Sequence, residues 1–363
     1  MLILEFIIVF GFLIFIHELG HFVAAKLQHI EVEEFGFGYP PKMLKLFNWR
    51  GTDVTLNWIP FGGFCRIVGE TDEDVPGGMA NSSIWTRFSI AFAGPLMNII
   101  AGVLFFTIVV ARVGTPDPGT VIIADVVADS PAAEAGLQTN DILLKVDDTV
   151  IDSTETLQAI VSAAEGNQID INYEREGMTY NTSMTPEYFE EYERFMIGIS
   201  MTNPYYPVPF YQAIPTALQL SYEQATMIFR LPGMLARGDI AREDARLLGP
   251  VSMGRLFLDA REKDIETQEA LAEAPAEQAS TELPAVNTLW LMGVLSIALA
   301  VGNLLPFPAL DGGRIILLIP EIITRKRVPI GFENALNMIG MALLLAIMFF
   351  VTAQDIFNPI NLP

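Results

Sequence analysis

The chain has 363 residues, of which 51% are hydrophobic, and its mean hydropathy is +0.39. A composition this apolar excludes an ordinary soluble protein of this size and indicates a membrane protein. The net charge of −22 disfavours nucleic acid as a partner. The single cysteine, Cys65, excludes an internal disulfide and a cysteine-based zinc site.

The first predicted element is an apolar helix over residues 2–25, which contains His17, Glu18 and His21 in the pattern His-Glu-x-x-His. Two histidines four residues apart lie on one helix face, so both imidazoles can bind one metal ion. The glutamate between them is suited to act as general base on water. The pattern predicts a zinc hydrolase site inside a helix that spans a membrane.

Three further segments are long enough to cross a bilayer, namely residues 88–111, about 286–310 and about 334–353. Basic residues concentrate in the loop after the first span and in the loop after the third, so the positive-inside rule places both loops in the cytoplasm. The long acidic segment between the second and third spans is then extracytoplasmic. Spans one and three consequently run in the same direction, and we expect their polar residues to meet nearer the cytoplasmic face.

A compact α/β module is predicted for residues 118–186, with strands near residues 121–127 and 141–147 and a helix at 154–164. Its stretch from Ser130 to Val146 resembles a PDZ domain. PDZ grooves bind the ends of peptide chains by strand addition. The resemblance implies a module that selects substrates by their extracytoplasmic ends, and a module without a ligand is the alternative.

The segment between this module and the third span is predicted to lie against the membrane. Residues 209–258 mix apolar and charged side chains, which is typical of amphipathic helices at the outer interface. Residues 259–284 are acidic and favour a solvated helix or a disordered insertion. The predicted organisation is therefore four parts, at residues 1–112, 118–186, 187–285 and 286–363.

The third span ends in a broken, polar stretch. Pro306 and Pro308 interrupt the helix at membrane depth, where irregular backbone is tolerated if it is buried or lines a wet cavity. Asp311 at that depth needs a partner, and a pair of histidines needs a third ligand while one position stays open for water. Asp311 is the predicted third ligand, and a cap of the following helix is the alternative. Asn303 is predicted to donate a hydrogen bond to substrate or to the tetrahedral intermediate, or else to pack between helices.

Together the two motifs resemble the site-2 proteases, which are intramembrane zinc metalloproteases, and most closely the bacterial branch of the RseP type. The resemblance implies that zinc is the cofactor and that Glu18 is the catalytic base. It also implies that the zinc ligands are His17, His21 and Asp311. The matching residues are His17, Glu18 and His21 in the first motif, and Asn303, Pro306, Asp311 and Gly312 in the second, which reads N-x-x-P-x-x-x-x-D-G.

Two other stretches resemble the same family. Residues 31–68 alternate apolar side chains with glycine-rich turns, which predicts strands, and they resemble a membrane-reentrant β-hairpin on the cytoplasmic side. Its residues Gly36, Phe37 and Gly38 are candidates for holding an extended substrate at a strand edge, and a hairpin that only covers the site is equally favoured. In the second span, Asn98 follows a run of small residues and is predicted to face the site or to pack against a neighbouring helix.

The expected fold is a polytopic α-helical membrane protein with about four transmembrane helices, a cytoplasmic-side β-hairpin region and an extracytoplasmic PDZ-like α/β domain. The expected location is the bacterial cytoplasmic (inner) membrane. The predicted function is regulated intramembrane proteolysis of transmembrane segments in single-span membrane proteins. By resemblance, the substrates are proteins like anti-sigma factors, or remnant signal peptides.

Two rival functions remain open, a non-catalytic zinc-binding membrane scaffold and a zinc transporter. The intact Glu18 disfavours a scaffold, because a scaffold needs no base beside the metal. The His-Glu-x-x-His spacing and the PDZ-like module disfavour a transporter.

Overall fold

The computed structural model describes residues 2–72, 74–117, 119–190, 194–239, 248–273 and 284–359. The chain separates into two compact units, each with its own core. One unit is formed by Met1–Arg112 together with Phe210–Pro363, and the other by Val113–Pro209.

The first unit begins with two long apolar helices and a hairpin between them. Helix α1 spans Leu2–Leu27, strands β1 and β2 span Val32–Trp49 and Thr52–Ile67, and helix α2 spans Ile84–Val113. The strands are antiparallel, and residues 34–37 of β1 pair with two stretches of β2, namely residues 53–56 on one side and residues 63–66 on the other. Residues 42–49 of β1 pair with residues 52–57 of β2, so the hairpin is made of short paired stretches.

Aromatic side chains attach the hairpin to α1. The rings of Phe15 and Phe37 stack with centroids 4.4 Å apart, and those of Phe22 and Phe35 at 4.8 Å. Offset aromatic pairs of this kind add to the stabilisation that comes from burying their area. The hairpin is thus held beside the helix turn that carries His17 and His21.

The second unit is a small α/β module built on one antiparallel sheet. Its strands run in the order β11-β4-β5-β7-β8, with β6 paired to β5. Alternate residues of β4 and β5 point into a core with helix α4, including Val121, Ile123, Leu143 and Leu157. The element bounds are β3 Thr115–Pro116, β4 Val121–Val126, α3 Pro131–Glu134, β5 Ile142–Val146, β6 Thr149–Val150, α4 Thr154–Ala163, β7 Ile169–Arg175, β8 Met178–Met184, β9 Glu187–Phe189, β10 Arg194–Met196, β11 Ile199–Thr202 and β12 Tyr205–Tyr206.

The predicted end of this module at residue 186 is too early. Residues 187–209, which the sequence pattern assigns to the interfacial segment, contain the strands β9 to β12 instead. Strand β11 pairs with β4, and β12 pairs with β3, so the sheet is complete only with this later stretch. The partners lie 73 to 80 positions apart in the first pairing and 89 to 91 in the second. Such long-range partners leave no local signal in the sequence.

In the described part of the chain after residue 209, five helices belong to the first unit. These are α5 Phe210–Arg237, α6 Pro250–Glu273, α7 Asn287–Leu304, α8 Asp311–Thr324 and α9 Ile330–Phe357. The buried residues of α5 are small and four apart, at Ala213, Ala217 and Ser221, while large apolar side chains cover its other faces. Small residues at the contact face allow close approach of a neighbouring helix. The position of α5 at a membrane interface stays a prediction. Part of the predicted acidic insertion, residues 274–283, lies outside the described residues.

The break after the third apolar helix has the predicted cause. Helix α7 ends at Leu304 and α8 begins at Asp311, with Pro306 and Pro308 in the irregular turn between them. The helix pair closes tightly because Gly312 has no side chain: a Cβ there would overlap the backbone oxygens of the turn.

In the described part of the chain, four helices are long and apolar enough to cross a membrane, namely α1, α2, α7 and α9. They correspond to the four predicted spans, and the predicted number of apolar helices is confirmed. The sidedness of the loops stays a prediction.

Candidate metal centre

Three side chains of the types that bind metal ions, which lie far apart in the sequence, converge in the first unit. His17 and His21 lie on α1, Asp311 begins α8, and one ligand atom from each lies within 4.8 Å of the others. The Oδ2 atom of Asp311 is 3.0 Å from Nε2 of His17 and 3.4 Å from Nε2 of His21. The two Nε2 atoms are 3.1 Å apart. Two imidazoles and one carboxylate are the donor set of a catalytic zinc site with an open position.

Space for an ion comes from a glycine on the neighbouring helix. A Cβ on Gly94 of α2 would lie 2.7 Å from Nε2 of His17 and would also overlap Nε2 of His21. Helices α1 and α2 approach closely where Gly20 of α1 faces Ala93 of α2, since a Cβ on Gly20 would overlap the backbone oxygen of Ala93. Because Gly94 has no side chain, a space remains toward which the Nε2 atoms of His17 and His21 point, and we call this space the cradle. The donor set and the cradle together fit zinc.

The ring nitrogens that face away from this cradle are also fixed by α2. Nδ1 of His21 lies 2.8 Å from the backbone oxygen of Ile90, to which its N–H donates. The hydrogen on Nδ1 leaves Nε2 with its lone pair directed at the ligand cluster. Nδ1 of His17 lies 3.3 Å from the side-chain amide of Asn98. Metal-bound histidines in proteins require a partner of this kind at the second nitrogen.

Asp311 does not serve as the cap of its own helix. The N-cap position of α8 is Leu310, which has no side-chain capping bond. Asp311 lies in the first helical turn, and its carboxylate contacts the two histidines instead. Only 14% of its side chain is exposed, and a carboxylate buried this deeply needs a cationic partner.

A cavity of about 370 Å³ opens beside the ligand cluster. Its wall mixes polar groups with apolar side chains from α1, α2 and α7. Polar groups among apolar helices mark a wet, functional space. The polar lining includes Glu18, Tyr39, Glu70, Asn98, Asn303, Asp311 and Arg314.

The predicted substrate-binding residues of the hairpin lie in strand pairing. Gly36 is opposite Phe64 and Thr55 of β2, and Phe37 stacks on α1. Among the described residues around the cavity, β1 contributes Tyr39 and β2 contributes Cys65 and Ile67. Gly36, Phe37 and Gly38 are not among the residues that line the cavity. Their contact with substrate stays a prediction, whereas Asn98 and Asn303 both line the cavity.

Several cavity residues were not singled out from the sequence. Arg314 forms an ion pair with Glu70, which ties the segment after β2 to α8. Its position three residues after Asp311 places it on the same helix face, and that spacing was the signal that could have found it. The run of small residues before Asn98 predicts close helix packing, but it does not distinguish Gly94 from its neighbours.

The fold and this cluster define a membrane protein with a His-His-carboxylate metal centre held between apolar helices. Residues 5–347 match the model of peptidase family M50, and the chain belongs to this family of site-2 proteases. A protein of Clostridium acetobutylicum, whose name classes it provisionally as a zinc metalloprotease, is 32% identical over 98% of this chain and 97% of its own length. The metalloprotease MmpA of Caulobacter vibrioides is 25% identical over 98% of this chain and 95% of its own length.

The family and these relatives confirm three predictions. The protein is a zinc metalloendopeptidase, its cofactor is zinc, and it is a membrane protein. Among solved structures, a PDZ domain of an SdrC-like protein from Listeria monocytogenes is similar to part of this chain. That match has a TM-score of 0.22 and 22% identity, and it covers 24% of this chain and 90% of the other.

Proposed function

We propose that this enzyme hydrolyses a peptide bond within or beside the transmembrane helix of a single-span membrane protein. The observation that carries the proposal is the convergence of His17, His21 and Asp311 beside Glu18 in a cavity between apolar helices. A substrate that reaches this cavity arrives through the bilayer. In this proposal the three converging residues hold the zinc ion, and Glu18 is the base.

The chemistry follows from the groups around the cavity. Zinc, when bound, supplies Lewis-acid polarisation of the scissile carbonyl and of water. Glu18 accepts a proton from the attacking water as the C–O bond forms, and donates a proton to the amine nitrogen as the C–N bond breaks. Asn303 donates an amide hydrogen to the carbonyl oxygen as that oxygen gains charge.

The substrate must be extended where it is cut. In a helix each backbone carbonyl accepts a hydrogen bond, so it is shielded until the turn unwinds. Glycine or proline near the scissile bond eases unwinding. The β1–β2 hairpin lies beside α1 and would hold the unwound segment near Gly36, Phe37 and Gly38. Because Gly36 and Phe37 are paired with β2 on both sides, the free strand edge next to them belongs to residues 63–66 of β2, and the segment would be added there. Proteins resembling anti-sigma factors, already trimmed outside the membrane, and remnant signal peptides meet these requirements.

The second unit carries a groove suited to a peptide end. Strand β11 is the outermost strand of its sheet, and the groove runs between this strand and α4. Leu157 and Val161 of α4 face Ile197, Ile199 and Met201 across it. An added peptide strand would pair with β11, while its last side chain enters the apolar groove. We expect peptides with an apolar C-terminal residue to bind there.

The catalytic proposal is tested with Glu18→Gln and a fluorescent single-span substrate in detergent. The variant should keep one zinc per chain and lose turnover, because the amide cannot accept the proton. The matched control is Glu33→Gln, which removes a carboxylate from the exposed face of β1 and should cleave normally. Chelation should abolish cleavage by the native chain, and added zinc should restore it. Undiminished cleavage by Glu18→Gln would refute the proposed base.

The groove proposal is tested with fluorescent peptides and the full chain. A peptide ending in valine with a free carboxylate should bind, whereas the amidated peptide and a peptide ending in lysine should bind at least tenfold more weakly, a difference of about 1.4 kcal/mol. Equal binding of all three peptides would show that the groove does not read peptide ends.

We also propose that the metal centre lies nearer the cytoplasmic face of a bacterial inner membrane and that the second unit is extracytoplasmic. Support comes from the basic residues between α8 and α9 and the acidic second unit. After replacement of Cys65, Asp148→Cys should react with an impermeant maleimide in spheroplasts, and Lys326→Cys only after lysis. The reverse labelling pattern would invert the topology.

A further inference from the structure

We propose that Asn98 is a positioning residue, which aims His17 at the metal by accepting the hydrogen of its Nδ1 atom. Asn98 is fully buried on α2, and its side-chain amide lies 3.3 Å from Nδ1 of His17. Its Oδ1 atom is buried, and among the described residues it has no hydrogen-bond partner. A buried acceptor without a partner costs about 1–3 kcal/mol, so an orientation of the carboxamide in which this oxygen accepts a hydrogen bond is favoured.

The NH₂ group and the oxygen of the Asn98 carboxamide suit two different tautomers of His17. With the NH₂ group toward Nδ1, the amide donates to an imidazole whose hydrogen is on Nε2, beside Asp311. A His17 that binds metal through Nε2 carries its hydrogen on Nδ1 and needs an acceptor there. Rotation of the carboxamide by half a turn places Oδ1 in that position, and the two orientations differ only in which atom is called nitrogen.

Both histidines are then held by the same helix in the same way. The backbone oxygen of Ile90 accepts from Nδ1 of His21 at 2.8 Å. Asn98 does the same for His17 from four residues beyond Gly94, and Ile90 lies four residues before it. Helix α2 thus supplies an acceptor for each ring, with the cradle for the ion between them. The fixed rings leave both Nε2 lone pairs directed at one point.

Asn98 also contributes to helix packing, through an atom that does not contact His17. The backbone oxygen of Asn98 accepts a hydrogen bond from Ser296 Oγ on α7 at 2.8 Å. Replacement of Ser296 by alanine removes the tie between the helices but leaves the carboxamide beside His17. Ser296→Ala is therefore the matched control for a purely structural effect.

The test measures zinc affinity of the purified full chain in detergent by competition with a chromophoric chelator. Asn98→Leu should weaken zinc binding by about 10–100-fold, as loss of an outer partner of a metal-bound histidine does. Asn98→Asp keeps an acceptor oxygen at the same place and should restore most of the affinity. Ser296→Ala should leave the affinity near that of the native chain. If Asn98→Leu does not fold, Asn98→Ala carries the same expectation.

A second readout is the visible spectrum of the cobalt-substituted protein, which reports the geometry of the ligands. Asn98→Leu should change the band positions, and Asn98→Asp should keep them. Native zinc affinity in Asn98→Leu, or equal weakening by the leucine and aspartate variants, would overturn the proposal. The inference rests on the proposed role of His17 as a ligand, which fails separately if His17→Ala retains its zinc.

Discussion

The Nε2 atom of His17 lies 3.0 Å from the carboxylate of Asp311, although one residue is in the first helix and the other is near the end of the chain. The two can meet only after α1 and α8 have been assembled together. Metal binding is therefore coupled to completion of the first unit, because the unfolded chain has no preformed set of ligands.

Removal of the third ligand should release the metal. Asp311→Ala leaves two imidazoles, which cannot complete a catalytic zinc site. We expect zinc affinity to fall by more than the roughly 10–100-fold that loss of an outer partner costs. Elemental analysis of the dialysed protein gives the answer. The control is Asp259→Ala, which removes a partly exposed carboxylate of α6 that pairs with Lys263. Equal zinc content in the Asp311 variant and the native chain would contradict the ligand assignment.

A methyl group in the cradle should have the same effect from the opposite side. Gly94→Ala would place a Cβ 2.7 Å from Nε2 of His17, where no relaxed structure keeps both histidines in place. We expect loss of zinc and of cleavage, with the protein still monodisperse in detergent. The matched control is Gly331→Ala at the start of α9, where a Cβ meets nothing within 4 Å. Full activity of Gly94→Ala would show that the ion lies elsewhere.

The sequence predicts this centre well for two reasons. Its histidines follow a local spacing rule, and a carboxylate at membrane depth is energetically unfavourable unless it has a partner. His17 and His21 are one helical turn apart, and a carboxylate such as Asp311 at membrane depth has few other uses. Gly94 was missed for the opposite reason: its contribution is an absent side chain at a crossing between two helices. The orientation of the ring of His17 by Asn98 likewise depends on a contact between helices that no spacing rule specifies.

The boundary of the second unit is another feature that depends on contacts between distant parts of the chain. Strands β4, β5 and β7 and helix α4 were predictable from alternation and from turn residues. Strand β11 is short, and its pairing partner lies far away along the chain. A strand whose identity depends on completing a sheet carries little signal of its own, so residues 187–209 were assigned to the wrong part of the chain.

An ion pair in the second unit should be essential to its stability. Asp141 has no exposed surface, and its two oxygens accept from Nε and Nη2 of Arg175 at 2.6 and 2.7 Å. Arg175→Met would leave the buried Asp141 carboxylate without its cation, with the backbone N–H of Gln138 as its remaining partner, and should lower the free energy of unfolding of this unit. The measurement is the rate of limited proteolysis within residues 113–209 of the full chain. Lys145→Met, on the exposed side of β5, should leave that rate unchanged, and an unchanged rate in Arg175→Met would contradict the prediction.

The third apolar helix depends on a cap that comes from another helix. Helix α7 begins after Val286, which offers no capping side chain, and Asp264 of α6 takes its place. Its Oδ1 atom accepts from the backbone N–H of Asn287 at 2.8 Å, and Oδ2 accepts from that of Thr288 at 2.9 Å. A carboxylate at a helix N-terminus also interacts favourably with the helix dipole.

Asp264→Ala should therefore destabilise the start of α7 by about 2 kcal/mol. Asp264→Asn, which keeps one acceptor, should have a smaller effect. The fluorescence of Trp290, one turn into α7 and packed on Phe106, should report the change as a lower thermal midpoint in detergent. Glu266→Ala removes an exposed carboxylate from the same helix and should leave the midpoint unchanged. Equal midpoints for the alanine variants at 264 and 266 would show that α7 starts without help from α6.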